Sequence, residues 1–472
     1  FVIIQASNGA IWRSKYTTTT YNDGNWHHAV MLVDNLNVDL YVDGARPTLT
    51  NYQSGTMTTY TSPTIPVRVG RDSDAADVFN GSIDEVRIYN RDLDAREITK
   101  LYESGLSRIG INQLGLVPDD FPANATISYV RENCTGYSPC YATLALWESN
   151  FGGFGWDGCT TGDLTCLNKT AVAKIDGTWN SPDTTYVAID GWVTDATRYI
   201  KIYTTATARH PGKWDETKYR IEVTDAGAIA IYEEYTRIDG LQIKLTATSL
   251  YRRAITGLVN NANSDIRIAD NIIRGNCSGE SNDCSGIATI WNYTANYKIW
   301  NNIIYDLFSG VNICQTATAQ VYNNTVVNCG SVGYYRNGTP IIIAKNNIAY
   351  GNGDNYLGTF DDYSTNNLSG PTQTDAPTTN ARNGVRVNFI DEANDDFHLS
   401  PADSGARNYG ADLSNDASIS YSLDIDRQNR KGTWDIGADE ATGTVIGGSQ
   451  KNQISNGLVG FWSFNGPDID GN

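Results

Sequence analysis

The stretches "IRIADNII" (266–273), "YKIWNNII" (297–304), "AQVYNNTV" (319–326) and "IIIAKNNIA" (341–349) decide the fold of this chain. They align on Asn271, Asn302, Asn324 and Asn347, at steps of 31, 22 and 23 residues. The first step holds the eight-residue segment Cys277–Cys284, and without it the steps are 23, 22 and 23. Regularity of that kind means stacked coils. In each coil an apolar residue three before the Asn (Ile268, Ile299, Val321, Ala344) and another two after it (Ile273, Ile304, Val326, Ala349) would point inward on either side of a tight bend. Asparagine at a bend tolerates left-handed backbone angles, and its amide can bond to the Asn above and below.

This pattern resembles the right-handed parallel β-helix family with an asparagine ladder. Earlier coils are expected in "YVAIDGW" (186–192), "YIKIYTT" (199–205), "YRIEVTDAGAIAIYEEY" (219–235) and "TRIDGLQIKL" (236–245). The strings "DDFHLSPADSGARNYGADL" (395–413) and "DIDRQNRKGTWDIGADE" (424–440) resemble the terminal segment of secreted bacterial and archaeal β-helix proteins, a likeness that makes His398 structural rather than catalytic.

The first hundred residues follow a different pattern. In "NWHHAVMLVD" Trp26, His28, Val30 and Leu32 share a face, and in "NVDLYVDG" Val38, Leu40 and Val42 do, with Asp43-Gly44 as a turn. The reading is an antiparallel sandwich. One helix is expected in "LDAREITKLYESG" (93–105), capped by Asp94 with Glu97 three later, its stripe Ile98 and Leu101, stopped by Gly105. With "VGRD" (69–72) and "FNGSIDEVRIYNRDLDAREITKLYE" (79–103), these strings resemble the second half of a laminin-G-like, concanavalin-A-like jelly roll. Its customary opening resembles "NGLVGFWSFNGPDIDGN" (456–472), at the other end of the chain.

The expected class is therefore all-β: a right-handed parallel β-helix plus a partial antiparallel jelly-roll sandwich. The parts are 1–105 (jelly roll), 106–119 (linker), 120–443 (β-helix with terminal cap), 444–456 (linker) and 457–472 (opening strand). The strand Gly457, Leu458, Val459, Gly460, Phe461, Trp462, Ser463, Phe464 could fold back on its own chain, complete the jelly roll of a neighbour, or mark one period of a tandem repeat. The sequence reading favours the last two, hence self-association into fibres or arrays. The chain opens on Phe1 rather than Met, which points to a processed or partial product.

The charge of −18 and pI near 4.6 disfavour nucleic acid as a partner, and no apolar run approaches the length of a membrane span. Eight cysteines, Cys134, Cys140, Cys159, Cys166, Cys277, Cys284, Cys314 and Cys329, read as disulfides of an oxidising compartment, with the pairing open. Sequons at Asn80, Asn124, Asn133, Asn292 and Asn337 fit an exported chain. The cysteine spacing does not suit zinc, and with four histidines no metal site is expected. Calcium is the one ion that the acidic runs "FDDYSTNN" (360–367) and "DEANDD" (391–396) offer to hold, although they lack a fixed ligand rhythm.

Among chemistry-bearing residues, Arg267 and Lys298 hold equivalent outward positions before the ladder Asn, with Asp265 and Asp270 beside them. They are the catalytic candidates of an enzyme reading, a polysaccharide lyase or glycoside hydrolase. Phe151, Phe154 and Trp156 could stack on sugar rings or else cap the open end of the core. The favoured function is an extracellular or cell-surface structural and adhesive protein, with glycans as partners; a carbohydrate-active β-helix enzyme is the alternative.

Overall fold

The computed structural model describes residues 122–441 apart from short breaks (123, 248–250, 278–283, 291–292, 378 and 431). Elsewhere it describes mainly the strands Ile3–Ser7, Trp12–Thr17, Ala29–Asp34, Asn37–Val42, Leu49–Asn51, Val86–Tyr89 and Leu458–Trp462. The chain divides into two compact units, one formed by Phe1–Val117 with Ile446–Asn472 and the other by Pro118–Val445.

The second unit is a right-handed parallel β-helix. Each coil contributes a strand to each of three parallel sheets in turn, and the strands of one sheet run from Val187–Ile189 to Asp354–Leu357, seven in all. Inward columns are apolar along the stack. Val187, Ile229, Ile255, Ile287, Val311, Tyr334 and Tyr356 are in register in the first sheet. Ile202, Ile238, Ile268, Ile299, Val321 and Ala344 form the equivalent column of the second, and Ile243, Ile273, Ile304, Val326 and Ala349 that of the third. Ile268, Ile299, Val321 and Ala344 are buried, as are Ile273, Ile304, Val326 and Ala349, so the spacing located both walls of the bend. Burying one such side chain stabilises by roughly 1.5–3 kcal/mol, and repetition over the coils supplies the core.

The asparagines between the second and third sheets form the expected ladder. Asn271 Nδ2 donates to Asn302 Oδ1 at 2.9 Å, Asn302 to Asn324 at 2.9 Å, and Asn324 to Asn347 at 3.0 Å. A further rung follows, with Asn347 donating to Asn367 at 2.9 Å; it was not read because this coil is three residues shorter than the last regular step. One detail differs from the expectation. The left-handed residue is the one before each ladder position, Asp270, Asn301, Asn323 and Asn346, with φ between 49° and 56°. That frees the following Asn to turn inward.

The left-handed column has its own use. Asn301 donates to the Leu423 carbonyl, Asn323 to those of Asp435 and Gly437, Asn346 to Ala411, and Asn366 to Tyr409. These bonds strap the terminal segment along the corner of the stack, where Tyr421 and Trp434 pack with Trp300 and Tyr322. At the opposite end the short helix Leu144–Ser149, capped by the Thr143 hydroxyl accepting from Leu146 N–H at 3.1 Å, packs Leu144 and Trp147 onto the core.

Three disulfides join Cys134–Cys140, Cys159–Cys166 and Cys277–Cys284. The expectation that all eight cysteines are bridged is corrected: Cys314 and Cys329 are buried thiols. Each lies within the coil stack, where neighbouring chain already fixes the backbone and the side chain serves as a small apolar group. Burial pushes the Cys329 thiol up to about 12.

In the first unit Ile3–Ser7 pairs with Trp12–Thr17, which pairs with Leu49–Asn51, and Ala29–Asp34 pairs with Asn37–Val42, all antiparallel. Leu40 and Val42 are buried, while Val30 and Leu32 pack against Leu93 and Ile98. Asp43 accepts from the backbone N–H of His28 at 2.9 Å and meets the His27 ring at Nδ1 at 2.7 Å, so only the His27 imidazole engages that carboxylate in these two contacts. Trp26, Val38 (for its side chain), the cap residues Asp94 and Glu97, Leu101, and the linkers 106–119 and 444–456 lie outside the described residues or nearly so.

The strand Leu458–Trp462 pairs antiparallel with Val86–Tyr89, Leu458 opposite Tyr89 and Trp462 opposite Val86. The described pairing is thus the fold-back on the same chain, the alternative that the sequence reading ranked below donation and tandem repetition. Tethered segments meet at an effective concentration on the order of mM, which favours pairing within the chain over pairing between chains. Gly457, Ser463 and Phe464 lie outside the described residues.

Candidate functional site

The outward face of the second sheet follows from the same register as its core. One column reads Lys201, Arg237, Arg267, Lys298 on four successive coils. Neighbouring strands lie about 4.8 Å apart, so the cations are stacked at close range along one line. On a chain of net charge −18 such a stripe is conspicuous. Arg267 and Lys298 were read from the sequence; Lys201 and Arg237 were not, although "YIKIYTT" and "TRIDGLQIKL" place them two residues before the same bend-side position.

The structure brings three of the four catalytic candidates together. Arg267 Nε donates to Asp265 Oδ2 at 2.9 Å, and Lys298 Nζ lies 2.9 Å from Asp265 Oδ1. Burial alone would raise the Asp265 carboxyl, but hydrogen bonds and charge from Arg267 and Lys298 outweigh it and hold it below its ordinary value. Both cations are therefore engaged rather than poised as bases. Arg237 makes no ion pair among the described residues; its guanidinium lies 3.4 Å from the ring centre of Tyr199. Burial, then the charge of Arg267, lowers it below the usual arginine range.

Asp270 stands apart, at the bend. Arg209 Nη2 lies 2.6 Å from Asp239 and 3.1 Å from Asp270. Burial and Asp239 push Asp270 up against the charges of Arg209 and Arg427, while the same two cations hold Asp239 down. The two carboxylates seal the corner beneath the terminal segment.

Phe151, Phe154 and Trp156 gather around Trp192, with ring centres 5.0, 6.0 and 6.3 Å from it. All three are half-buried against the core cluster, the arrangement of an end cap. Two acids that sequence reasoning missed hold Trp192: Glu148 accepts from its indole N–H at 3.1 Å and Glu233 from its backbone N–H at 2.8 Å. Burial raises both, Glu233 to about 7.

No helix among the described residues is long and apolar enough to cross a membrane. The three disulfides and the antiparallel unit fit an extracellular protein. No curated protein and no solved structure matches the chain. Residues 1–99 match the laminin-G family model described as the Concanavalin A-like lectin/glucanases superfamily, so the first unit is a laminin-G-like domain on a chain whose larger part is a parallel β-helix.

Proposed function

We propose that this is an extracellular structural and adhesive protein, with the laminin-G-like unit as its recognition end and the β-helix as a rigid spacer. The observation that carries the reading is the pairing of Leu458–Trp462 with Val86–Tyr89. It assembles the lectin-like unit from segments on both sides of the β-helix in sequence, so the β-helix is inserted in the domain rather than appended to it. The β-helix adds to recognition: its stripe Lys201, Arg237, Arg267, Lys298 offers cations about 4.8 Å apart on a chain of net charge −18, which suits an acidic glycan. Assembly belongs to the same reading. If the terminal strand is exchanged between chains, the contact is head-to-tail and does not close, which gives a fibre where chains are crowded.

The test is a binding panel of neutral and acidic polysaccharides, followed for retention and for turnover with and without calcium. Retention of acidic polymers without new ends supports the reading. Release of unsaturated or reducing ends, abolished by Arg267→Ala or Lys298→Ala, replaces it with a carbohydrate-active enzyme.

A further inference from the structure

His398, Asp426 and Asp439 meet where the terminal segment closes on the coil stack, and their donor atoms lie within 4.8 Å of one another. They come from the two strings that border the segment, "DFHLSP" and "DIDRQNRKGTWDIGADE". Asp396 accepts from His398 Nδ1 at 2.5 Å and is held in turn by Lys213 at 3.1 Å. That bond engages Nδ1 and turns Nε2 the other way. There it meets Asp426 Oδ2 at 3.6 Å, with Asp439 beside it.

An imidazole nitrogen facing two carboxylates calls for positive charge between them, from a proton on Nε2 or from a bound cation. The charges of His398 and Arg430 act to lower Asp439, and Arg430 also acts on Asp424, but the hydrogen bonds of Arg430 go elsewhere. Arg430 donates to the carbonyls of Gly437 and Ala438 and to Asn301, and it lies 3.4 Å from Glu440. Arg427 acts on the Asp239 and Asp270 side. The acids of the surroundings add to the deficit: Asp424 faces Asp426 and takes its backbone donors from Gln428 and Glu440. His398 Nε2 and Asp426 Oδ1 are both buried without a hydrogen-bond partner. Asp439, almost wholly buried, gives one oxygen to Leu399 N–H at 2.6 Å.

The three side chains line a cavity of about 240 Å³. Gly212, at φ +78°, stands beside the ring; a Cβ there would come 2.1 Å from His398 Nε2, so any larger residue would displace the imidazole. The hydrogen-bonded Asp396–His398 pair has the form of the outer-shell carboxylate that orients a metal-binding imidazole.

We propose that His398 Nε2, Asp426 and Asp439 hold a divalent first-row metal ion of the zinc type. One imidazole nitrogen with two carboxylates suits that class, whereas calcium takes six to eight oxygens. At about 30 Å³ per water the cavity has room for several, so positions on the ion stay open to water or an outside ligand. The proposal is independent of the adhesive reading and of the acidic runs expected to attract calcium.

The experiment uses the full chain, stripped with a chelator and titrated with zinc chloride by calorimetry, beside His398→Gln and Asp426→Asn. One zinc per chain is expected, with at least tenfold weaker binding in both variants and a zinc-dependent rise in unfolding temperature confined to the unmodified protein. A variant that does not fold is replaced by anomalous diffraction at the zinc edge from crystals of the unmodified chain, where a peak at His398 supports the site and its absence rejects it. No saturable binding, binding unchanged in both variants, or calcium displacing zinc overturns the proposal and leaves His398 as an imidazolium between carboxylates.

Discussion

Trp462 stands opposite Val86 in an antiparallel ladder, joining two segments that the whole β-helix separates in sequence. The domain match covers residues 1–99 alone, so the C-terminal strand is recognised by its pairing rather than by its own match. A sheet edge left bare by its loss would be open to other chains.

Truncation after Ala441 should therefore destabilise the first unit and spare the second. At about 1 kcal/mol per backbone hydrogen bond, loss of the strand should cost about 3–4 kcal/mol. Calorimetry should show one transition lowered and the β-helix transition unmoved; an unchanged pair of transitions would mean the strand contributes nothing. Negative-stain microscopy of concentrated samples then separates exchange from closure, because filaments of the intact chain must vanish on truncation.

Within the stack, Asn324 accepts from both Asn302 N–H (3.0 Å) and Asn302 Nδ2 (2.9 Å) and donates to the Ile299 carbonyl (3.0 Å). Asn324→Ala orphans these buried groups, and each unsatisfied group costs about 1–3 kcal/mol. The variant should lose about 3 kcal/mol or more by urea unfolding. Asn366→Ala, at an exposed rung, should lose less than about 1 kcal/mol; equal losses would show that the ladder adds nothing beyond its neighbours.

The coil period was legible because every turn must bury the same two positions, and a position such as Ile299 can be apolar for no other reason. The residue in the left-handed conformation was misassigned by one place, since Asn301 and Asn302 are chemically alike and only the backbone tells them apart. Lys201 and Arg237 escaped notice because the stripe exists only in the register between coils, which irregular loops hide from spacing. His398 was read as structural from its string, correctly placing it in the terminal cap. What the string does not show is that Asp396, 2.5 Å from Nδ1, turns the other ring nitrogen toward Asp426 and Asp439. The disulfide count failed where composition always fails: an even number does not say which thiols face one another.

The thiols give a direct check. Unfolded in guanidinium without reductant, the chain should take up two alkyl groups, at Cys314 and Cys329, and in native buffer the buried Cys329 should take up none. No alkylation after unfolding would mean that these two are bridged after all.

For the cationic stripe, Arg237→Glu should weaken binding of an acidic polysaccharide at least tenfold and flatten its salt dependence, because it reverses a charge that forms no ion pair among the described residues. Lys298→Ala should matter less, since Lys298 is paired with Asp265. Affinity measured at several salt concentrations decides; equal effects of the two, or none, would remove the stripe from recognition.

Glu233 predicts the direction of the pH dependence. Its carboxyl titrates near 7 in the folded protein and near 4.5 in the unfolded chain, burial being the main cause. Below about 4.5 both states hold the proton, and between the two values only the folded state does. Stability contributed by the protonated group is thus full in acid and is lost as pH rises through 7, with no further change above. Asp270 and Asp439, also raised by burial, add to the same trend. Glu233→Gln keeps an acceptor for the Trp192 N–H and removes the titrating group. Urea midpoints at pH 5, 6 and 8 should fall in the unmodified protein and fall less steeply in the variant; parallel profiles would mean that Glu233 is already ionised in the folded state, with its charge answered by the Trp192 N–H rather than by a proton.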